Sequence, residues 1–279
     1  TYHLYTYGNV ANIPEGVIFF EGNCQDDKLI DSLAKYKFEA IFHIAGQSSG
    51  EISFDNPIYD LESNSSSTLL LLKLAMKVNC KKFIYASTMS IYGYLGDHAV
   101  SEEEEKKPVS FYGVGKFASE HYLRLYAKYG INSYAMRLFT VYGPGQNMDN
   151  LRQGMVSIFL AQANTKSDIQ IKGSLDRYRD FIYIDDVVEA FIAAFSSDLK
   201  GHYYFNVCTG KKTTVGELIS NIINLFPRKI TSHIKDKTEG DIMGIHGDNT
   251  KIKSIIDWNP QYSLNQGLKK MYDWLNKKS

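Results

Sequence analysis

The residues best suited to chemistry are Tyr112 and Lys116, in the run Tyr112-Gly113-Val114-Gly115-Lys116. Four-residue spacing puts two side chains on one face of a helix, about 6 Å apart along its axis. Tyrosine titrates near 10, so a phenolate base at neutral pH requires a fall of about three pH units, or about 4 kcal/mol. One cation about 4 Å away, at an effective dielectric near 20, supplies about 4 kcal/mol before desolvation is subtracted. Lys116 joined by a second positive charge meets that requirement; either alone falls short. The spacing by itself is weak, because about two such matches are expected by chance at this tyrosine and lysine content. The chain has one. The glycines strengthen it: each costs a helix about 1 kcal/mol against alanine, so Gly113 and Gly115 call for a close-packed ligand or backbone neighbour.

The elements that must position this pair are strands alternating with helices. Gly16 to Phe20 is a short β-branched and aromatic run, and Asp26 to Leu33 opens with acids and has helical apolar spacing. Ala40 to Ala45 reads as a buried strand that stops at Gly46, and Asn64 to Met76 as a long, mostly buried helix. Lys82 to Ser87 is the next strand, Phe111 to Tyr129 the next helix, and Ile131 to Leu138 a further strand. Such alternation predicts an α/β fold, a doubly wound parallel sheet with right-handed crossovers and a smaller C-terminal lobe. The expected division is 1–145 and 146–279, with one strand near 180–184 returning to the sheet. Ligands of such sheets bind beyond the carboxyl ends of the strands. Three segments fall there: His43 to Ser48, with small residues that admit a flat ring; Ser87 to Ser90; and Thr140 to Gly145.

Composition narrows the classes. The 279 residues are 44% hydrophobic and 22% charged, with 31 basic and 31 acidic side chains. That excludes disorder and removes the pull toward nucleic acid or anionic membrane that a basic chain has. No apolar run approaches the roughly 20 residues of a bilayer span. Cys24, Cys80 and Cys208 stand far apart with no CxxC spacing, so the expectation is no metal site, no disulfide framework and a cytoplasmic location. The Glu102–Glu105 run reads as a solvated loop, His43 as a structural strand-end residue, and Asp185 and Asp186 as caps of a helix at Val187.

Four ordered segments carry a family resemblance: Ala86-Ser87-Thr88-Met89-Ser90-Ile91-Tyr92-Gly93, Tyr112 to Lys116, Arg137 to Gly145, and Arg179 to Val187. Together they resemble the extended short-chain dehydrogenase/reductases, and within them the NAD-dependent nucleotide-sugar epimerases and dehydratases, over nearly the whole chain. The resemblance implies a Rossmann-like NAD-binding domain and a nucleotide-sugar lobe. It makes Tyr112 the catalytic base and acid, with Lys116 lowering its pKa and holding the nicotinamide ribose, and it puts Thr88 on the reacting sugar hydroxyl. Asn23, Cys24, Ile44, Ala45, Gly46, Gln47, Ser48, Asn64 and Phe139 are implied to line NAD. Thr140, Asn150, Arg179 and Asp241 are implied to hold the substrate, the last three at its diphosphate.

The departures from the family pattern bear on function. No GxxGxxG loop precedes the first strand, so the expectation is that an N-terminal βα unit is missing from the sequence. Met89 and Ser90 stand where dehydratases carry an Asp-Glu pair, which argues against dehydration. Thr140 replaces a frequent Asn, and Thr238 a frequent phosphate-binding Arg. The reading is therefore NAD-dependent epimerisation of a nucleotide sugar, at C4, by a homodimer joined through the two long helices, with Leu123 and Tyr126 in the interface. A 4-keto-sugar reductase and a truncated, non-catalytic nucleotide-sugar-binding relative are the alternatives.

Overall fold

A computed structural model describes residues 13–150, 152–235 and 243–278. The fold is α/β. A four-stranded parallel sheet runs in the order Ile41–His43 (β1), Lys82–Thr88 (β2), Asn132–Leu138 and His202–Val207. β1 lies beside β2 with Ile41 opposite Phe83 and His43 opposite Tyr85, so both strands deliver their carboxyl ends to one edge. From Phe83 to Thr88 every residue of β2 is buried, as expected of a strand covered on both faces.

The helices of this region follow their caps. Asp26 accepts from the amides of Lys28 and Leu29 and starts α1, Asp27–Ser32. Asn56 and Pro57 start α2, Pro57–Leu61. A single π-helical turn, Glu62–Ser66, then leads into α3, Ser67–Lys77. Ser110 accepts from the amide of Gly113 and starts α4, Phe111–Tyr126. The long helix expected from Asn64 to Met76 is thus α3 with the π turn that leads into it, and Asn64 sits in the turn.

The chain divides into two compact units, and the division is not a single cut at residue 145. The first comprises 1–91, 108–135 and 199–203; the second comprises 92–107, 136–198 and 204–279. Strand pairing explains this. Within the second unit Thr140–Tyr142 runs parallel to Phe181–Tyr183, and Ala99–Val100 parallel to Gly244–Gly247, which binds early segments to late ones. Its core gathers Tyr142, Phe159, Leu160, Ile169, Phe181, Leu218, Ile222, Leu268 and Met271.

Several local expectations are corrected. Gly16 to Phe20 forms no strand: it has no ladder partner among the described residues, and Val17, Ile18 and Phe19 are exposed. Glu102 is buried rather than solvated, because its carboxylate accepts the Asn206 amide at 2.7 Å. Asp185 and Asp186 are not caps. The helix Ile184–Ser196 already includes them, and the Asp186 carboxylate instead holds the amides of Gln261 and Tyr262 at 2.7 and 3.2 Å. Leu123 is fully buried inside the first unit, so it lies in that unit's own core rather than in an interface.

Candidate active site

The site is assembled in the first unit, where β2 ends and α4 begins. Thr88 is the last residue of β2, and its hydroxyl is fixed by Ser90, whose amide donates to it at 3.1 Å and whose hydroxyl accepts from it at 3.2 Å. The Ser110 cap puts Tyr112 in the first turn of α4. Gly113 explains how that turn comes so close. A Cβ at this position would lie 2.7 Å from the Ser90 carbonyl oxygen and 2.9 Å from Pro108, so only glycine permits the approach. The backbone neighbour that the glycine called for is the Ser90 carbonyl. Across this contact the Thr88 side chain opposes the rise in the pKa of the Tyr112 phenol.

Lys116 lies one turn further along, buried, donating to the Ala86 carbonyl at 3.0 Å, with its ammonium 4.9 Å from the Tyr85 ring and 5.8 Å from the Tyr112 ring. The expected balance of charges is reversed in this state. Burial pushes the Tyr112 phenol up to about 12, Thr88 opposing and the Asp60 charge adding to the rise. Burial also pulls Lys116 down to about 8, with Asp60 opposing. Desolvation therefore outweighs the attraction that the spacing suggested. At pH 7 the pair is phenol and ammonium, and forming the phenolate costs about 7 kcal/mol at 1.36 per pH unit. A phenolate at this position would need a second positive charge to offset that cost.

Behind the pair lies a closed polar network. The Asp60 carboxylate is buried and accepts from Gln47 Nε2 at 2.8 Å and Asn64 Nδ2 at 3.2 Å; its Oδ2 is buried without a partner among the described residues. Asn64 also donates to the Gln47 carbonyl at 3.1 Å, and Ser63 accepts from the Gln47 amide at 3.2 Å. The π turn aims Asn64 at the loop after β1, where Gly46 adopts φ +147° and a Cβ would strike the Asn64 amide oxygen. That oxygen too is buried and unpartnered. Ile44, Ala45, Gly46 and Ser48 are exposed around it. Orphaned buried acceptors beside an open, small-residue loop suit a dinucleotide that brings hydroxyl donors and a flat ring, so these residues fit NAD. Asn23 is exposed and Cys24 half-buried in the turn before α1, with the Cys24 thiol pushed up by burial.

His43 is a structural residue, for a traceable reason. Its Nε2 lies 3.1 Å from the Thr68 hydroxyl and 3.2 Å from the Ser67 hydroxyl. Both hydroxyls give their hydrogens to carbonyls at 2.6 Å, Thr68 to Asn64 and Ser67 to Ser63, so the ring nitrogen is the donor. Burial first, and Lys116 second, pull His43 down to about 3, which keeps it neutral. Two residues escaped the sequence reading. Glu120, one further turn along the Tyr112–Lys116 stripe, accepts from Ser87 at 2.6 Å. Asp60 is the other, and its four-residue spacing to Asn64 is the signal that could have found it.

The remaining candidates belong to the second unit. Phe139 is buried, its ring 2.6 Å from where a Cβ would stand at Gly247. The Thr140 hydroxyl oxygen is buried without a partner among the described residues. Asn150 accepts from the Arg152 amide at 3.0 Å, and half-buried Arg179 donates to the Tyr178 carbonyl at 2.7 Å. Asp241, like Thr238, lies outside the described residues. Among the described residues no cluster of His, Cys, Asp and Glu could hold a metal ion, and no helix is long and apolar enough to cross a membrane.

Comparison with known proteins identifies the family. Residues 3–271 match the model of the GDP-mannose 4,6 dehydratase family. The chain is 31% identical over 263 residues to a UDP-glucose 4-epimerase of Mycolicibacterium smegmatis, covering 94% of this chain and 83% of that one. Among solved structures it is similar to UDP-glucose 4-epimerase from Thermotoga maritima with UDP-glucose, at a TM-score of 0.91 and 31% identity, covering 97% and 88% of the two chains. It is similar also to UDP-glucose 4-epimerase from Thermus thermophilus in complex with NAD, at a TM-score of 0.88 and 26% identity, covering 98% and 89%.

Proposed function

The chain belongs to the GDP-mannose 4,6 dehydratase family, and we propose that it epimerises a nucleotide-activated sugar at C4 using NAD. The observation that carries this reading is the Thr88–Tyr112–Lys116 constellation, with Met89 and Ser90 after Thr88 in place of the Asp-Glu pair of dehydration. The family's name is a dehydratase, but the side chains at this site support epimerisation.

NAD would be held in the first unit by Asn23, Cys24, Ile44, Ala45, Gly46, Gln47, Ser48, Asn64, Tyr112 and Lys116. When bound it supplies a reversible hydride acceptor at the reacting carbon and a positive charge at the phenol. The protein's own work is with the proton. Tyr112 Oη takes it from the sugar C4 hydroxyl and returns it to the same oxygen after the sugar has turned. Thr88 hydrogen-bonds that oxygen and keeps it in reach, while the Lys116 ammonium, anchored on Ala86, keeps positive charge behind the ring. Tyr112 is buried, which limits its contact with water. The first unit is the NAD-binding domain and the second the nucleotide-sugar lobe, where Thr140, Asn150, Arg179 and Asp241 take the substrate; a guanidinium such as Arg179 suits a diphosphate.

The enzyme is a cytoplasmic homodimer in this reading. Its free cysteines support a reducing compartment. An exposed apolar patch supports the dimer: Phe54, Ile58, Leu61, Phe111 and Val114 gather on α2, α4 and the turn before them, and the Phe54 and Phe111 rings touch edge to face.

The test is a panel of UDP-, dTDP-, GDP- and CDP-sugars with the NAD-loaded enzyme. One of them is interconverted with its C4 epimer without net consumption of reduced cofactor, and Tyr112→Phe lowers the rate by about 10²–10⁴-fold. Stoichiometric consumption of NADH or NADPH would establish the reductase instead, and an undiminished Tyr112→Phe variant would remove the base.

A further inference from the structure

We propose that the Asp60 carboxylate is a positioning residue whose buried negative charge, facing the Tyr112–Lys116 turn of α4, adds to burial in holding the proton on Tyr112 and favours the charged form of Lys116. The inference rests on Tyr112 being the base of the reaction.

Three observations carry it. Asp60 is 1% exposed, on α2, and its Oδ2 is bare of hydrogen-bond partners among the described residues, while Gln47 and Asn64 hold Oδ1. The bare oxygen faces α4 at the turn that bears both functional residues: a Cβ at Gly115, between Tyr112 and Lys116, would lie 3.4 Å from it. Glycine at that position leaves no side chain to screen the carboxylate from the turn. Finally, no other carboxylate among the described residues is seen to face this turn. From α4, Tyr112 and Lys116 feel the Asp60 charge. Glu62, on the π turn, is exposed, as are Glu51 and Asp55 around the short helix Ile52–Phe54, which itself carries no titratable group. From β1, His43 is neutral, held so by burial and by the Lys116 charge. Glu120 is directed at Ser87.

A carboxylate there disfavours the neighbouring phenolate and favours the neighbouring ammonium. Its charge acts in the direction opposite to the one the base needs and adds to the larger effect of burial, so a cation bound at the phenol has both to offset. Burial pushes the Asp60 carboxyl up, but Gln47, Asn64 and Lys116 all oppose that rise, so the charge is supported by two amide donors and one cation.

The measurement is the ionisation midpoint of Tyr112, read from the tyrosinate absorbance of each protein minus that of its Tyr112→Phe counterpart. Asp60→Asn keeps the shape, and Asp60→Ala removes it without a clash. Both are expected to lower the midpoint by about one pH unit, and the alkaline limb of activity, set by Lys116, is expected to fall in the same direction. Asp60→Glu, which keeps the charge, is expected to stay near the parental midpoint. An unmoved midpoint in either folded neutral variant overturns the proposal. So does failure of both neutral variants to fold, because a buried charge that serves tuning rather than stability is replaceable by neutral side chains. The readout is absorbance, not turnover. If Tyr112→Phe retained full turnover, the base assignment would fail while the midpoint shift still reported on Asp60.

Discussion

Alanine at Gly113 and at Gly115 should have opposite effects, although the two positions are two residues apart on one helix. Each substitution gains about 1 kcal/mol of helix propensity. At Gly115 the new methyl meets Asp60 Oδ2 and Ser65 Oγ at 3.4 Å and Asn64 Cβ at 3.6 Å, which is ordinary contact, so most of the gain survives. At Gly113 it meets the Ser90 carbonyl oxygen at 2.7 Å and Pro108 Cβ at 2.9 Å. The carbonyl is backbone at the end of β2 and cannot swing aside, so α4 must move, at the 1–3 kcal/mol typical of overpacking. The two variants are thus separated by about 2 kcal/mol. At about 2–4 °C per kcal/mol for a domain of this size, that is about 6 °C in Tm. Displacing α4 also pulls Tyr112 from Thr88, and a shift approaching 1 Å at a reacting pair costs up to about 10²-fold, so Gly113→Ala should lose turnover as well. Thermal melting with steady-state kinetics on the same preparations is the assay. Equal Tm values, or a Gly113→Ala variant as active as the parent, would refute the claim that this glycine exists to seat Tyr112 against β2.

Lys116→Met should abolish turnover and raise stability at pH 7 by about 2 kcal/mol. Holding a buried ammonium whose pKa has fallen from 10.5 to about 8 costs about 3 kcal/mol there, the lost bond to Ala86 returns about 1, and the advantage should shrink in melts as pH rises from 8 to 10.5. His43, neutral when folded with a pKa near 3 against 6.5, supplies stability that is present above 6.5 and lost as pH falls toward 3, up to about 5 kcal/mol. His43→Leu should flatten that acid limb in denaturant titrations, and an unchanged limb would exclude the histidine as its source. Val114→Glu, at an exposed apolar position, should yield folded monomers by sedimentation. Leu123→Glu, in the core, should lower Tm by far more than it alters association, and a stable monomer from Leu123→Glu would restore that residue to the interface.

What was legible in the sequence was local. Tyr112, Gly113 and Lys116 lie within one helical turn of each other, and the energetic cost of glycine in a helix announced a close neighbour that proved to be Ser90. The acids at Asp26 and Asp27 opened α1 as the sequence suggested. The failures share a cause. Leu123 repeats with the apolar period of its helix, and that period is the same whether the stripe faces the chain's own core or a second copy. Glu102 looked solvated because its partner, the Asn206 amide, comes from a distant strand. The sign of the electrostatics was hidden in the same way. Spacing establishes that an ammonium stands near a phenol, but the pKa of each depends on how much water the fold removes from both, and on Asp60, which reaches them only through packing of α2 on α4. An i, i+4 pair on a wet surface and the same pair under β2 are identical in sequence and opposite in consequence: in water the lysine lowers the phenol's pKa slightly, and in the core both groups move toward neutrality. A tyrosine–lysine motif is therefore evidence for a base only together with a source of compensating charge.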